Sequence, residues 1–325
     1  MKLVSLFRRG EGLLCGLVVC LLLTACGRSS TEEAGALRVG FSQIGAESAW
    51  RTANTESIRS EAKKRGIDLR FSDAQQRQEN QIRAIRSFVA QGVDVIVLAP
   101  VVETGWEPVL REVQRAGIPV ILSDRTVDVT DESLFATFIG PDSVEEGRQA
   151  GLWLAKETNG KAVIAELQGT PGSAPALARQ KGFAEVMADY PDMKIVKSQS
   201  GDFTRARGKE VMEAFLKSPE GKSITALYAH NDDMALGAIQ AMEEAGVKPG
   251  KDIVIVSVDG VRGAFEAMVE GRLNCTVECT PIIGSYVFDA AEALARGEEV
   301  PRRIVVKGEV YTMDQAADVI DQRQY

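Results

Sequence analysis

The feature that most constrains the fold is a regular alternation of short apolar runs with segments of helical periodicity, which begins at Leu37. In the first series the predicted strands are 37–42, 69–71, 93–98 and 119–122, and the predicted helices are 50–65, 78–91 and 104–116. Strands that alternate with helices of this length form a parallel sheet with helices on both faces. The pattern therefore predicts an α/β fold.

The alternation restarts after residue 122 instead of simply continuing. A run at 135–140 leads into a second series, with predicted helices at 143–158, 175–188, 204–218, 232–245 and 263–270 and predicted strands at 162–167, 194–200, 224–229 and 253–259. A folded body of roughly 300 residues usually divides into two domains. We therefore expect two similar Rossmann-like lobes, each with a parallel sheet.

The first 26 residues have the order of an export signal. Basic residues at positions 2, 8 and 9 precede an apolar run at 13–23, and small residues then lead to Cys26. This order resembles a bacterial lipoprotein leader, in which residues 1–25 are removed and Cys26 is acylated. A transmembrane anchor is the alternative, but the run is far shorter than the roughly 20 residues that span a bilayer. We expect a lipid-anchored protein in the periplasm or cell envelope, with residues 26–36 as a flexible tether.

The charge of the remaining chain argues against polyanionic partners. From Cys26 onward there are 35 basic and 45 acidic residues, a net charge of −10. An acidic surface repels nucleic-acid backbones and anionic membranes, so no nucleic-acid partner is expected.

Three of the five cysteines lie at or before Cys26, and a strand would hold Cys275 and Cys279 about 13 Å apart, too far for a disulfide. We expect a monomer with free, buried thiols.

Polar side chains stand where the predicted strands end. Ligands of open α/β sheets bind beyond the carboxyl ends of the strands. The residues there are Gln43, Asp73, Asp124, Gln168, Ser200, Asn231 and Asp259. Such amides and carboxylates suit a ligand with many hydroxyl groups.

Common enzymatic and cofactor motifs each lack a required residue. The segment 40–44 resembles a nucleophile elbow without its second glycine, and His230 is the only histidine available as a base. Residues 221–223 resemble the end of a phosphate-binding loop, but Leu216 occupies the position of its first glycine. No dinucleotide fingerprint follows the first predicted strand, and no cysteine and histidine cluster has metal spacing. We expect neither a cofactor nor a metal.

Several long motifs resemble one family. HNDDMALGA at 230–238, VSVDG at 256–260 and SDR at 123–125 resemble the ribose and galactose class of periplasmic sugar-binding proteins, which share a LacI-like sugar-binding fold. More narrowly, the motifs at 40–43, 47–51, 78–94, 104–110 and 198–205 resemble galactofuranose-binding proteins of ABC transporters. The resemblance extends from about residue 37 to residue 283.

The resemblance implies a type I periplasmic binding protein, with two lobes joined by a three-crossing hinge. The N-terminal lobe would contain 37–138 plus about 279–310, and the C-terminal lobe 139–278 plus about 311–325. The implied sugar-binding residues are Gln43, Glu47, Trp50, Arg51, Asp124, Arg125, Arg179, Phe203, Asn231, Asp259 and Glu278. In such a site aromatic rings cover the apolar face of the sugar, and charged groups form hydrogen bonds with its hydroxyls.

Each residue also has an ordinary structural interpretation. Asn231 is a favoured helix N-cap, and Asp124 and Asp259 could be turn residues after strands. Trp50 could belong to the core and Arg179 to the solvated surface. Taken singly, each residue fits its structural interpretation at least as well; the occurrence of all of them together, in the order of the family motifs, favours a binding site.

Three functions follow from this sequence. The leading one is a binding protein that delivers a monosaccharide, galactofuranose or a related aldose, to an ABC permease. The second is a sugar sensor that docks on a chemoreceptor or sensor kinase. The third is an enzyme acting on sugars, with Asp124 and Asp259 as acid and base.

Overall fold

The structure, a computed structural model, describes residues 35–325. The predicted signal peptide, Cys26 and most of the predicted tether lie outside the described residues. Within the described part, no helix has the length and apolar character needed to cross a bilayer.

The first part of the described chain alternates five strands with three helices. These elements are β1 (Arg38–Gln43), α1 (Ala49–Arg65), β2 (Asp68–Asp73), α2 (Gln78–Gln91), β3 (Val95–Leu98), α3 (Glu107–Arg115), β4 (Val120–Ser123) and β5 (Thr137–Gly140). The helix ends follow local chemistry: Ser48 caps α1 through a bond from Arg51 N, and Gly66 ends it at a φ of 69°.

The second series follows directly. Its elements are α4 (Ser143–Glu157), β6 (Ala162–Gln168), α5 (Ala174–Met187), β7 (Met193–Ser200), α6 (Arg205–Lys217), β8 (Ala226–Ala229), α7 (Asp232–Glu244), β9 (Val254–Asp259), α8 (Arg262–Val269) and β10 (Cys275–Glu278). The final elements are α9 (Gly284–Ala295), β11 (Arg303–Val305), β12 (Val310–Thr312) and the short α10 (Ala316–Val319).

The strands form two six-stranded sheets. The first has the order β11-β5-β4-β3-β1-β2 and the second the order β12-β10-β9-β8-β6-β7. Every pairing is parallel except that of β10 with β12. In both sheets the strand order reverses beside the first strand of the series, which opens a crevice at the carboxyl ends of the strands. The two-lobed α/β architecture predicted from the sequence is confirmed.

Apolar strands lie buried between helices. Along β3, Val95 and Val97 join a cluster that includes Phe288 of α9, whereas Ile96 and Leu98 join a cluster around Trp106 on the opposite face. Because both faces of the sheet are covered, the strand is apolar at every position. Trp106 is fully buried and belongs to the packed core of this face.

The chain passes between the two sheets three times, at 141–142, 279–283 and 306–309. The first crossing leads from β5 into α4, the second from β10 into α9, and the third from β11 into β12. We propose that the lobes divide at these crossings, so the first lobe includes α9 and β11.

The sequence pattern did not predict the elements that follow residue 283. Both β11 and β12 have three residues and lie at sheet edges without full burial, so neither produces an apolar run. The connection at 306–309 leaves the first sheet at the carboxyl end of β11 and enters the second sheet beside the carboxyl end of β10. The strand β12 therefore runs antiparallel to β10.

Candidate functional site

A small cavity lies between the lobes, beyond the carboxyl ends of the strands. The lining residues are Glu47, Ser48, Trp50, Arg51, Asp124 and Arg125 from the first lobe, Pro175, Arg179, Phe203, Asn231 and Asp259 from the second, and Cys279 from a crossing.

A buried charge cluster forms the first-lobe wall. Arg51 Nε lies 3.0 Å from Glu47 Oε1, and Arg51 Nη2 lies 2.7 Å from Asp124 Oδ2. The Arg51 and Glu47 side chains are only 3% and 2% exposed. Burial acts to lower the pKa of Arg51, but Asp124 and Glu47 raise it by more, so the guanidinium stays charged.

Arg125 extends this cluster. Its Nη1 donates to the Val101 carbonyl at 3.0 Å, and its Nε lies 3.7 Å from Asp124 Oδ2. Burial, and then the positive charge of Arg51, lowers the pKa of Arg125 to about 10. The guanidinium therefore remains charged at neutral pH.

Several polar atoms in this wall have no hydrogen-bond partner within the described chain. They are Glu47 Oε2, Arg51 Nη1 and Arg125 Nε, and each is buried. Buried polar atoms are normally paired, so three unpaired atoms beside one cavity indicate a site for a polar ligand. The set includes an acceptor and two donors, which matches a ligand that both donates and accepts hydrogen bonds.

The second-lobe wall is organised around Arg179. Its Nε donates to Glu146 Oε2 at 2.9 Å, Nη1 donates to the His230 carbonyl, and Nη2 lies 3.7 Å from Asp259 Oδ1. Burial acts to lower the pKa of Arg179, but Glu146 and then other neighbours raise it by more. Burial raises the pKa of Asp259 well above its ordinary range, against the effect of Arg179.

The aromatic lining residues lie in both lobes. Trp50 donates its indole N–H to the Cys279 carbonyl, so it joins α1 to the second crossing. Phe203 has a φ of 60° and packs directly over Gly169, where a Cβ would lie only 1.9 Å from the ring. Asn231 accepts from Met234 N at 3.0 Å and donates to the Phe203 carbonyl at 3.1 Å, so it caps α7 and also lines the cavity.

Two lining carboxylates stand on strained backbone. Asp124 has a φ of 68° and Asp259 a φ of 133°. Such conformations cost about 1–3 kcal/mol each for residues other than glycine, and they concentrate at functional sites. Asp124 directly follows β4 and Asp259 is the last residue of β9, so both positive φ values lie where an extended strand ends.

Residues 39–299 match the family model described as a periplasmic binding protein domain. The chain belongs to the periplasmic binding protein family. It is 52% identical to the galactofuranose-binding protein YtfQ of Escherichia coli over 299 residues, which are 91% of this chain and 94% of that protein.

Two solved structures are also similar to this periplasmic binding protein. One is the binding component of the arabinose ABC transporter from Shewanella sp. ANA-3, bound to α- and β-L-arabinofuranose. It is 56% identical, with a TM-score of 0.86, over 88% of this chain and 95% of that one. The other is a protein from Mycobacterium smegmatis in complex with β-D-fucofuranose. It is 52% identical, with a TM-score of 0.87, over 89% and 96% of the two chains.

The fold is that of type I periplasmic binding proteins, as the sequence predicted, and these proteins bind solutes without catalysing reactions. The enzymatic alternative for Asp124 and Asp259 is therefore not supported. Among residues 35–325, no group of carboxylates, histidines and cysteines could hold a metal ion. Cys275 and Cys279 are both free and buried.

The structure brings nine of the eleven predicted site residues to the cavity and leaves two outside it. Gln43 forms bonds with Asn54 at 3.0 Å, Thr55 at 3.1 Å and the N–H of Ile44 at 2.9 Å. These bonds use its donors and acceptor for internal packing. Its position at the end of β1 led us to expect that it would line the cavity, but its side chain is directed toward α1.

Glu278 also lies elsewhere. Its carboxylate is 2.7 Å from Arg323 and lines a separate cavity at the hinge, together with Lys307 and Gly308. The sequence placed it near a crossing, and the adjacent residue of that crossing, Cys279, lines the cavity between the lobes instead.

Sequence reasoning missed Ser48, Pro175 and Cys279 in the lining and Glu146 behind Arg179. Ser48 carried a detectable signal, because it precedes a helix that contributes two other lining residues. Glu146 carried none, since it approaches Arg179 only through the packing of α4 on α5.

Proposed function

We propose that this protein captures an aldose in its furanose form, galactofuranose or L-arabinofuranose, between its two lobes. The observation that carries the proposal is the small cavity in which buried charged groups, three of them with unpaired atoms, lie beside two aromatic side chains. The names of the similar proteins support the furanose ring in particular, since they bind galactofuranose, arabinofuranose or fucofuranose.

Nine of the twelve lining residues have side chains suited to binding a sugar. Trp50 and Phe203 offer apolar surface to the C–H face of the ring. Glu47, Asp124 and Asp259 accept bonds from hydroxyls, whereas Arg51, Arg125, Arg179 and Asn231 donate to ring and hydroxyl oxygens. Hydrogen bonds to charged groups contribute roughly 1.5–3 kcal/mol each, so a few of them suffice for micromolar affinity after the cost of association.

Binding is coupled to closure in this proposal. Each lobe supplies only part of the lining, so all the bonds can form only when the lobes are together. The sugar therefore shifts an equilibrium between open and closed forms toward the closed form. Small-angle X-ray scattering should show a smaller radius of gyration with saturating sugar, and an unchanged radius would remove the closure step.

Transport is the favoured output. A similar structure is the binding component of an arabinose ABC transporter, which supports delivery to an ABC permease over sensing. The periplasmic binding protein family also supports a location outside the cytoplasm. We further propose that the lipid at Cys26 anchors a monomer to the membrane. A Cys26→Ala variant that stayed with the membrane fraction in cells would contradict the anchor.

The sugar and its ring form can be tested together. For L-arabinose, the 5-deoxy analogue can close only a furanose ring, whereas the 4-deoxy analogue can close only a pyranose ring. Each lacks one hydroxyl, so they form a matched pair for titration calorimetry beside L-arabinose and D-galactose. We expect the 5-deoxy analogue to bind and the 4-deoxy analogue to fail. Binding of the 4-deoxy analogue alone would contradict the furanose assignment, and no binding of any of the four sugars would contradict the function.

A further inference from the structure

The segment that follows β12 packs against the backbone next to Asp259. Arg323 donates to the Gly260 carbonyl twice, from Nε at 3.1 Å and from Nη2 at 2.8 Å. Its guanidinium also lies over the rings of Phe265 and Tyr311, with centroid distances of 4.8 and 5.4 Å. The Arg323 side chain is only 8% exposed. It is therefore fixed in place from several directions.

The backbone that Arg323 contacts needs such support. Asp259 and Gly260 have φ values of 133° and 79°, so two successive residues lie outside the ordinary regions. A Cβ on Gly260 would lie 3.0 Å from Arg323 Nη2, which shows how closely the guanidinium approaches. Strained conformations of this kind persist only where surrounding contacts hold them.

Glu278 connects this contact to the hinge. Its Oε1 lies 2.7 Å from Arg323 Nη2, and it pairs with Asp259 across the neighbouring strands β10 and β9. Its backbone N–H donates to the Glu309 carbonyl at 2.7 Å, at the third crossing. Glu278 thus touches the second crossing, the third crossing and the guanidinium that supports Gly260.

We propose that Arg323 is a positioning residue for the sugar site, oriented by Glu278. Neither side chain lines the cavity. Arg323 holds Gly260, and this keeps the carboxylate of Asp259 directed toward Arg179 and the sugar. Glu278 holds the guanidinium in the orientation that allows both bonds to Gly260. This also gives Glu278, which was expected to contact sugar, an indirect role in binding.

The test compares Arg323→Gln with Arg302→Gln. Arg302 is a matched control, because it also donates to backbone carbonyls, those of Glu132, Phe135 and Ala136, and lies over an aromatic ring. These contacts belong to the first lobe, away from the cavity. Both variants should lose some thermal stability without ligand. Only Arg323→Gln should bind L-arabinose or D-galactose at least about tenfold more weakly.

The size of the affinity loss separates positioning from simple destabilisation. The apparent Kd is the intrinsic Kd divided by the fraction of molecules in which Asp259 has the conformation that binds sugar. If that fraction falls to about one tenth, the apparent Kd therefore rises about tenfold. Arg323→Lys, which keeps the charge but not the planar pair of donors, should lie between the parent and Arg323→Gln. Equal affinities for the parent and Arg323→Gln would overturn the inference.

A measurement without sugar keeps this inference separate from the proposed function on which it rests. Hydrogen exchange at the amides of Gly260 and Val261 should be faster in Arg323→Gln than in Arg302→Gln or the parent. If the parent binds neither sugar, the proposed function fails while the exchange comparison still decides the positioning role. Unchanged exchange at these amides would overturn that role.

Discussion

The backbone N–H of Ala49 in the first lobe donates to the carboxylate of Asp233 in the second lobe, at 2.7 Å. Ala49 is the first residue of α1, where unpaired N–H groups and the helix dipole favour a negative charge. Arg205 holds the other oxygen of Asp233 at 3.0 Å. The bond links the two lobes without lining the cavity, so in the proposed closure it would stabilise the closed form.

The first prediction concerns this bond. Asp233→Ala should weaken sugar affinity about tenfold, because a charge-assisted bond of roughly 1.5 kcal/mol or more is lost from the closed form alone. Asp131→Ala is the control, since Asp131 accepts from Ser133 N at 3.0 Å within the first lobe. Titration calorimetry should show normal binding for the control. Equal affinity of both variants would show that Asp233 does not contribute to closure.

The second prediction concerns the cost of a functional carboxylate. Asp259→Asn should weaken binding about a hundredfold, since charged hydrogen bonds of roughly 3 kcal/mol in total are lost. The ligand-free variant should melt no lower than the parent, because burial disfavours the charged form of Asp259. Asp252→Asn, in an exposed turn of the same lobe, should change neither property. Parent-like affinity of Asp259→Asn would exclude Asp259 from the site.

The third prediction separates the two contributions of Trp50. Trp50→Phe keeps an aromatic surface but loses the bond to the Cys279 carbonyl, so affinity should fall several-fold. Trp50→Ala also loses the stacking surface and should bind far more weakly. Trp153→Phe is the control, because Trp153 packs against the second-lobe core without lining the cavity. If Trp50→Ala binds as Trp153→Phe does, Trp50 serves packing alone.

The fourth prediction concerns pH. Burial raises the pKa of Asp232 from 3.8 to about 6, against hydrogen bonds from Ser257, Val261 and other donors. The folded chain therefore holds this proton more tightly than the unfolded chain. The resulting stabilisation is fully present below pH 3.8 and is lost as the pH rises through about 6. A shift of two units corresponds to about 3 kcal/mol.

Comparing the parent protein with the Asp232→Asn variant separates the effect of Asp232 protonation on stability from the effects of other titrating groups. Urea unfolding should be measured for both proteins at about pH 4 and pH 7.5. Between these pH values, the free energy of unfolding of the variant minus that of the parent should increase by up to about 3 kcal/mol. Parallel pH profiles for parent and variant would contradict the raised pKa.

The sequence was most informative where structure is set by local pattern. The helix at 78–91 was predicted at its observed bounds, because its apolar periodicity ends at Gly92, which has a φ of 62°. Strands β1 to β9 also coincide with predicted runs, and in central strands such as β3 burial on both faces produces a continuous apolar run. In contrast, β11 has only three residues, and its position depends on pairing with β5 far away in the sequence.

The site was predictable as a set of positions but not as a set of contacts. Asp124 and Asp259 could be placed at strand ends, where the topology brings them to one crevice. Gln43 occupies the same kind of position, and only its bonds to Asn54 and Thr55 exclude it. Side-chain direction is decided by tertiary neighbours, and a single sequence does not reveal them.

Neither sheet is built from one continuous stretch of chain, and this constrains the order in which the protein can fold. The apolar face of the first sheet is completed by Val287 and Phe288 of α9, and the edge of β5 is covered by β11. During synthesis or secretion, a first lobe that ends at Gly140 therefore exposes an apolar face and an unpaired strand edge. Such surfaces promote aggregation until residues 284–305 have been synthesised and packed against them. The first half of the chain therefore depends most on chaperones that cover exposed apolar surface.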